Sequence, residues 1–310
     1  MRRPRLAARP RSVLAATVAM AVLAVGCGDG RSVSAPPSIP TTAGPRRGPA
    51  IATTVDAAVF TVDCRFSHRA PDDPIVHPGR AGASHLHDFF GATGTDASST
   101  AASLRGGATT CEDRDDTAAY WVPTLLDGAR PVQADYLRAY YRAAVGADTR
   151  TVQVPAPGLQ LIAGNAHALP GHWMPTDQVG WGCGLRPRRL HHRPPSNCTV
   201  NAPLTLRLVF PDCWDGRHTA SADHLSHLAR SRDGRCPPSH PEAILQVQMS
   251  VQYPVWKPTS VSPSPRANEL TLASGGWQTS HGDVLNAWVQ RRLEHQTDLC
   301  IRVLANCTIG

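Results

Sequence analysis

Residues 245–253 read Leu-Gln-Val-Gln-Met-Ser-Val-Gln-Tyr, an unbroken alternation of apolar and polar side chains. Successive side chains of an extended chain point to opposite faces, so the pattern predicts a strand that sets Leu245, Val247, Met249, Val251 and Tyr253 on a core. Working outward, residues 203–210 (PLTLRLVF), 159–163 and 59–66 carry further strand signals, separated by turns rich in Pro, Gly and Asp. The strongest helical signal lies at 284–299, where Leu285, Trp288, Val289 and Leu293 share a helical face and Asp283 stands at the N-cap. The expected fold is mainly β, a sandwich or barrel-like sheet with long loops and few helices, including a C-terminal helix, tied by disulfides.

The amino terminus has a different composition. Residues 1–12 hold five arginines (Arg2, Arg3, Arg5, Arg9 and Arg11) and no acid, and an apolar run follows at 13–25. A charged segment feeding an apolar stretch shorter than the ~20 residues of a spanning helix has the form of an export signal. It ends Ala24-Val25-Gly26-Cys27, which resembles a bacterial lipobox. Cleavage there makes 1–26 a signal peptide and leaves Cys27 lipidated, so that acyl chains tether the protein to the membrane; an ordinary secretory signal with an incidental cysteine is the alternative. Residues 27–56, rich in Pro, Ser, Thr and Gly, read as a flexible linker. Residues 57–310 show no internal repeat and no second linker, and are expected to form a single globular, monomeric domain with a long surface loop at 254–266.

Cysteine arithmetic agrees with export. Nine cysteines become eight once Cys27 is assigned to lipid: Cys64, Cys111, Cys183, Cys198, Cys213, Cys236, Cys300 and Cys307. An even set in an oxidising compartment implies up to four bridges among about 105 connectivities. Short spacings favour Cys183 with Cys198, Cys213 with Cys236 and Cys300 with Cys307, leaving Cys64 for Cys111. No CxxC occurs, which disfavours structural zinc and thioredoxin chemistry.

Charge excludes a further class. The chain has 31 Lys+Arg and 24 Asp+Glu, and loss of the five arginines of the signal leaves a net charge near +2, so no nucleic-acid partner is expected. The one basic cluster, 186–193 (RPRRLHHR), lies between Cys183 and Cys198. It reads either as a solvated loop face or as a contact for an anionic envelope polymer.

Histidines and aspartates gather in four loops, containing Asp72 and Asp73; His85, His87 and Asp88; Asp215, Asp223, His224 and His227; and His281 and Asp283. His85 and His87 are two apart, so an extended segment aims both imidazoles to one side. Serine precedes histidine at His68, His85, His227, His240 and His281. Neutral imidazoles near carboxylates suit a divalent transition metal, for which His85, His87, His224, His227 and His281 are the candidate ligands. The aspartates and histidines are equally candidates for general acid and base. Against both stands a structural role: histidines as buried struts, Asp283 as a helix cap, and Asp215 as a turn former. No HExxH or GxSxG motif fixes the chemistry. Trp121 and Trp214, near the Asp-rich loops, are candidate pocket walls.

Six segments in order, SHRAPDDPIVHPGRAGASHLHDFFG from Ser67, LRGGATTCEDRDDTAAYWVPTL from Leu104, FPDCWDG, SADHLSHLA, CPPSHP and HGDVLNAW, resemble one exported domain-of-unknown-function family, nineteen-ninety-six. The family occurs in exported actinobacterial and secreted fungal proteins, and the resemblance spans about 60–307. It implies no assigned activity. Some fungal members join the domain to carbohydrate-binding WSC modules, which implies wall polysaccharide as partner. Where the family reads HGDF-x-NGW, this chain keeps His281, Asp283, Asn286 and Trp288 but loses an aromatic and a glycine. Two expectations follow: a carbohydrate-active hydrolase or lyase at the outer face of the cytoplasmic membrane or secreted, or a non-catalytic wall-binding scaffold.

Overall fold

The computed structural model describes residues 58–256, 269–304 and 306–308. All of them fall in one of the chain's two units, Ala52–Gly310. The signal peptide, Cys27, the linker and most of the 254–266 loop lie outside the described residues.

In chain order the strands begin β1 (Val59–Ala70), β2 (His87–Gly91), β3 (Ala119–Pro123), β4 (Leu125–Asp127), β5 (Arg130–Val132), β6 (Tyr136–Arg142), β7 (Gln160–Gly164) and β8 (Val179–Cys183). They continue β9 (Leu204–Val209), β10 (Cys213–Trp214), β11 (Leu228–Ala229), β12 (Glu242–Ala243), β13 (Gln246–Gln252), β14 (Leu270–Leu272), β15 (His281–Leu285) and β16 (Asn306–Thr308). Ten of these form one sheet ordered β7-β15-β3-β2-β1-β6-β13-β9-β8, with β16 added in parallel to β1. Two small sheets, β11-β10-β12 and β14-β4-β5, decorate it.

The long strand β1 organises the main sheet. Its first half pairs with β6 from Val59 to Arg65, and its second half pairs with β2 from Phe66 to Ala70. A bulge between Phe66 and His68 separates the halves, and a bulge bends and twists a strand. The sheet therefore folds over β1 and curls until β7 approaches β9, giving a nearly closed, barrel-like sheet.

The main core fills the interior with Phe60, Tyr120, Trp181, Leu208, Met249 and Val284 among its members. A second core lies on the outer face of the β2-β3-β15 half, where Phe89, Trp121 and Leu285 pack under Ile75 and under Leu104 of the short helix α1 (Ala101–Leu104). Alternation explains the division: Tyr120 and Val122 of β3 point in, while Ala119 and Trp121 point out. Trp121 is consequently a core residue and not a pocket wall, and Trp214 donates its indole N–H to the His218 carbonyl.

The predicted strand at 245–253 is β13, in register with β6 and β9. Its apolar side chains enter the core, but Gln248 and Ser250 are buried as well, because β13 is central in the sheet. All four expected disulfides are present.

The helix expected at 284–299 is a correction. Residues His281–Leu285 form β15, paired on both sides with β3 and β7, and helix α2 covers only Gln290–Gln296 before a π-helical turn at Thr297–Arg302. Two flanking strands satisfy the backbone of β15, and a helix there would forfeit both ladders. Asp283 thus caps nothing; it sits buried in mid-strand, and Val289 stands at the N-cap of α2. Gly282 faces inward, where a Cβ would lie 2.5 Å from Leu208 Cδ1 and 2.7 Å from Met249 Cε, so a larger residue would have to push aside the ends of those two core side chains.

Candidate metal centre

The outer face of β15 carries His281 and Asp283, and two strands away the outer face of β2 begins with His87. On the other flank His281 pairs with Gly164 of β7, whose absent side chain matters: a Cβ there would stand 2.3 Å from Ser280 O and 2.8 Å from His281 Cβ. His85 reaches the same spot from the segment leading into β2, its ring 4.2 Å from that of His87 and 5.0 Å from that of His281. The loop that leaves β1 supplies Asp73. Ligand-type atoms of His85, His87 and His281 lie within 4.8 Å of one another, as do those of Asp73, His87 and Asp283.

Hydrogen bonds settle the ring tautomers. His87 Nδ1 lies 2.9 Å from the Asp72 carbonyl and His281 Nδ1 lies 2.7 Å from the Thr279 carbonyl. A carbonyl only accepts, so each Nδ1 carries the proton and donates, and in the neutral ring each Nε2 keeps a lone pair. Those two Nε2 atoms face each other 3.4 Å apart. His85 Nε2 and Asp283 Oδ2 are also buried without a hydrogen-bond partner, and Asp283 Oδ2 stands 3.9 Å from His281 Nε2. The Nε2 lone pairs of His87 and His281 thus face each other, with Asp283 Oδ2 beside the second.

Burial dominates the electrostatics. It lowers His281 to about 3, beyond what the Thr279 carbonyl restores, with His85 and His167 adding repulsion. It lowers His85 to about 4, with His167 and His77 contributing, and holds His87 well below the ordinary imidazole value, helped by His281 and His85. Burial and the nearby Asp73 push Asp283 well above the usual carboxylate range. Asp73 is raised by burial, against the Ile75 and Val76 N–H groups that its Oδ1 accepts, each at 2.9 Å. The imidazoles are neutral and therefore competent ligands.

The fit to a metal can be tested on these atoms. Two nitrogens 3.4 Å apart, each about 2.0–2.1 Å from a zinc-class ion, subtend about 110° at it, the tetrahedral value. The set of three imidazoles and a carboxylate is what a first-row divalent metal takes. The centre adjoins a cleft of about 410 Å³ lined by His85, His281, Asp73 and Asp283, with His77, His167 and His224 among the other walls, while His87 is fully buried behind it.

A family model described as Domain of unknown function (DUF1996) matches residues 73–288. The chain belongs to the DUF1996 family. The DUF1996 span opens on Asp73 and closes on Trp288, so all five residues of the centre fall within it. No curated protein and no solved structure matches the chain.

Within the DUF1996 domain the other expected site residues divide by what their polar atoms touch. His224 and Asp223 line the cleft wall but belong to none of the converging groups. Asp223 accepts from Ser221 Oγ, Leu225 N and Ser226 N, and these bonds hold its carboxyl far below the usual range. The remaining four do not line the cleft. His227 is taken at both ring nitrogens, by Ser221 Oγ (2.9 Å) and the Gln160 carbonyl (2.8 Å). Asp88 binds Arg69 through both oxygens and accepts from Thr124. Asp215 accepts from Arg217 N, His218 N and His218 Nδ1, closing a turn and lowering it to about 2. Asp72 accepts from Gly82 N through its carboxylate, while its main-chain carbonyl orients His87. His77 and His167 were not singled out from the sequence; His77 lies inside the first family-like segment, and His167 has no local signal.

Proposed function

We propose that the cleft is a catalytic-type divalent-metal centre, held by His85, His87, His281 and Asp283, in an exported, lipid-anchored envelope protein that cleaves polysaccharide outside the cytoplasm. The observation that carries the metal is the pair of Nε2 lone pairs facing each other at 3.4 Å, each fixed by its Nδ1–H on a carbonyl. In a dry site such a pair repels unless a cation lies between them, and burial opposes a proton. The position of the centre in a cleft, rather than sealed in the core, favours a catalytic role over a structural one.

A divalent metal bound there supplies Lewis-acid polarisation of a substrate oxygen and acidifies a water, serving either hydrolysis or a lyase reaction. The chain's own residues orient and exclude. The carbonyls of Asp72 and Thr279 fix the two imidazoles, while Val76, Ile162, Met174 and Leu225 dry the cleft. Asp73 lies beside His87 and Asp283 with Oδ1 accepting from two N–H groups, which makes its carboxyl the candidate to hold or pass a proton.

The four disulfides fit an oxidising, extracytoplasmic environment, and no helix among the described residues is long and apolar enough to cross a membrane. The second reading, wall binding without cleavage, is favoured by the polar side chains of the cleft wall, Ser84, Asn165, His167 and Arg230 among them, which are of the kind that hydrogen-bond sugar hydroxyls. The decisive test is elemental analysis of the mature protein, purified without an affinity tag from an oxidising compartment, beside His87→Ala/His281→Ala. Near-stoichiometric metal lost in the variant, with metal-dependent release of fragments from wall polysaccharide, supports the proposal. Metal without turnover leaves the binding reading. A protein that neither carries nor takes up a divalent ion retires the metal centre.

A further inference from the structure

A second concave surface lies on the far side of residues 173–177 from the cleft. Met174 lines the cleft, whereas Trp173, Thr176 and Asp177 line two shallow depressions of about 960 and 670 Å³ that share Arg189, His191 and His192. The wall is the loop closed by Cys183–Cys198, and it is anchored: His191 and Trp181 exchange main-chain hydrogen bonds of 2.9 and 2.8 Å, which lays the loop over the edge strand β8. Arginines are therefore presented from a fixed frame.

Their charge is concentrated. Residues 178–211 contain five arginines and neither aspartate nor glutamate, while the chain after the export signal is nearly balanced. Arg188, Arg189 and Arg193 are exposed, and none makes an ion pair among the described residues. Arg193 lies 5.5 Å over the ring of Trp173. Arg207 of β9 reaches the same depression from below, and its Nε is buried without an acceptor. A buried guanidinium N–H wants an acceptor, and burial together with the nearby Arg142 lowers the Arg207 pKa beyond what Asp177 restores. Only Asp177 brings a negative charge to either depression.

We propose that this double depression binds an acidic polymer, a chain carrying carboxylate or phosphate groups at intervals, with Arg188, Arg189, Arg193 and Arg207 as its anion contacts. Two depressions side by side suit an extended chain, and a planar guanidinium binds either oxyanion through paired N–H groups. The concavity argues against a flat lipid surface. The inference stands apart from the metal reading, since none of these arginines lines the cleft.

The test is binding of the mature protein to polygalacturonate, long-chain inorganic polyphosphate, neutral dextran and vesicles containing anionic lipid, each over a range of salt. Wild type is expected to bind one or both anionic polymers, with affinity falling as salt rises, and to leave dextran unbound. The carboxylate and phosphate arms identify the anion. Arg188→Gln/Arg189→Gln/Arg193→Gln is expected to lose about tenfold or more in affinity at low salt. An equal charge change at three remote exposed positions, Arg105→Gln/Arg150→Gln/Arg291→Gln, is expected to leave affinity within about twofold, and both variants to melt with wild type. His87→Ala/His281→Ala is expected to bind the polymer unchanged, which separates failure of this proposal from failure of the metal centre. Equal losses in the two arginine variants, no polymer binding at low salt, or tighter binding to vesicles than to either polymer would each overturn it.

Discussion

The cleft on β2 and β15 and the small sheet β10–β12 are built from the same residue types, histidine beside serine and aspartate, and they use them in opposite ways. Around the small sheet His227 and His240 have both ring nitrogens taken. His227 joins Ser221 to the Gln160 carbonyl, and His240 joins Ser239 Oγ to the Ser226 carbonyl, each through both ring nitrogens. His68, on β1, does the same between Ser67 Oγ and the Thr95 carbonyl. In the cleft His87 and His281 have one nitrogen held and the other turned on a like partner, and His85 Nε2 has no partner. A histidine with both nitrogens met is a strut across loops; one with a fixed Nδ1–H and an Nε2 without a donor keeps a lone pair that a metal could take, as proposed above. Three of the Ser-His pairs follow the same division: at His68 and His240 the preceding hydroxyl meets its neighbour's Nδ1, whereas Ser280 before His281 accepts from Trp181 Nε1 instead; Ser226 before His227 departs from it, donating to Asp223 while Ser221 meets the ring.

The most severe trial of this contrast is to remove two histidines from each region. His87→Ala/His281→Ala should weaken divalent-metal binding by at least about 1,000-fold in a chelator competition, since even the outer partners of metal ligands are worth about 10–100-fold. His227→Ala/His240→Ala should bind metal within about threefold of wild type but melt earlier, each lost strut costing about 1–3 kcal/mol. Interchanged results would break the comparison.

The disulfide of the small-sheet region separates the two again. Cys213–Cys236 closes a 23-residue separation, for which the chain-entropy model gives about 3.4 kcal/mol. Cys213→Ser/Cys236→Ser should lose a stability of that order in denaturant unfolding and still bind metal stoichiometrically. Metal loss in step with this bridge would mean that the cleft leans on the struts.

Acid should distinguish the regions by the pH at which each begins to fail. For the metal-free protein the imidazoles of His85 and His281 titrate near 4 and 3 when folded and near about 6.5 when unfolded. The unfolded chain therefore takes up protons first, and their contribution to stability is lost as pH falls below about 6.5, by up to about 1.4 kcal/mol per unit for each group. Asp73 and Asp283 act oppositely, because a raised carboxyl binds its proton more tightly in the folded state and loses stability as pH rises above about 3.8. Asp215, lowered to about 2 and mostly solvent-screened, weakens the small-sheet region only below about pH 4 and only slightly. Denaturant melts of the metal-free protein from pH 7 to 4 should show His281→Gln flattening the acid loss and Asp283→Asn steepening it. An Asp215→Asn variant should follow wild type throughout that range.

Much of this architecture was legible, and the part that was not has a common cause. Alternation at 245–253 is local, so β13 could be read directly, and close cysteine spacings made the pairings readable. The 284–299 segment failed because Leu285, Trp288, Val289 and Leu293 satisfy a helical period, while the ladders that make His281–Leu285 a strand come from β3 and β7, more than a hundred residues upstream. The site behaved the same way. His85, His87, His281 and Asp283 were named together with Asp88, Asp215 and His227, and their types gave no means of ranking them. What ranks them is the carbonyls of Asp72, Thr279 and Gln160, the last of which reaches His227 across 67 positions.

His224 marks the boundary between the two regions, and its replacement is the smallest effect expected. It follows Asp223, whose carboxylate ties Leu225 and Ser226 into the turn, and it faces the cleft with φ of 59°. That left-handed conformation carries a penalty of about 1 kcal/mol in a non-glycine residue, roughly what glycine loses again in unfolded-state entropy. His224→Gly should therefore shift stability by less than about 1 kcal/mol and bind metal as tightly as wild type, because no atom of His224 joins the converging set. On the proposed reading polysaccharide turnover should fall while metal content holds, since the ring forms part of the cleft wall against which substrate would lie. Loss of the metal with this one side chain would move His224 among the ligands, and the division would then run through the turn at Asp223 rather than along the face of β15.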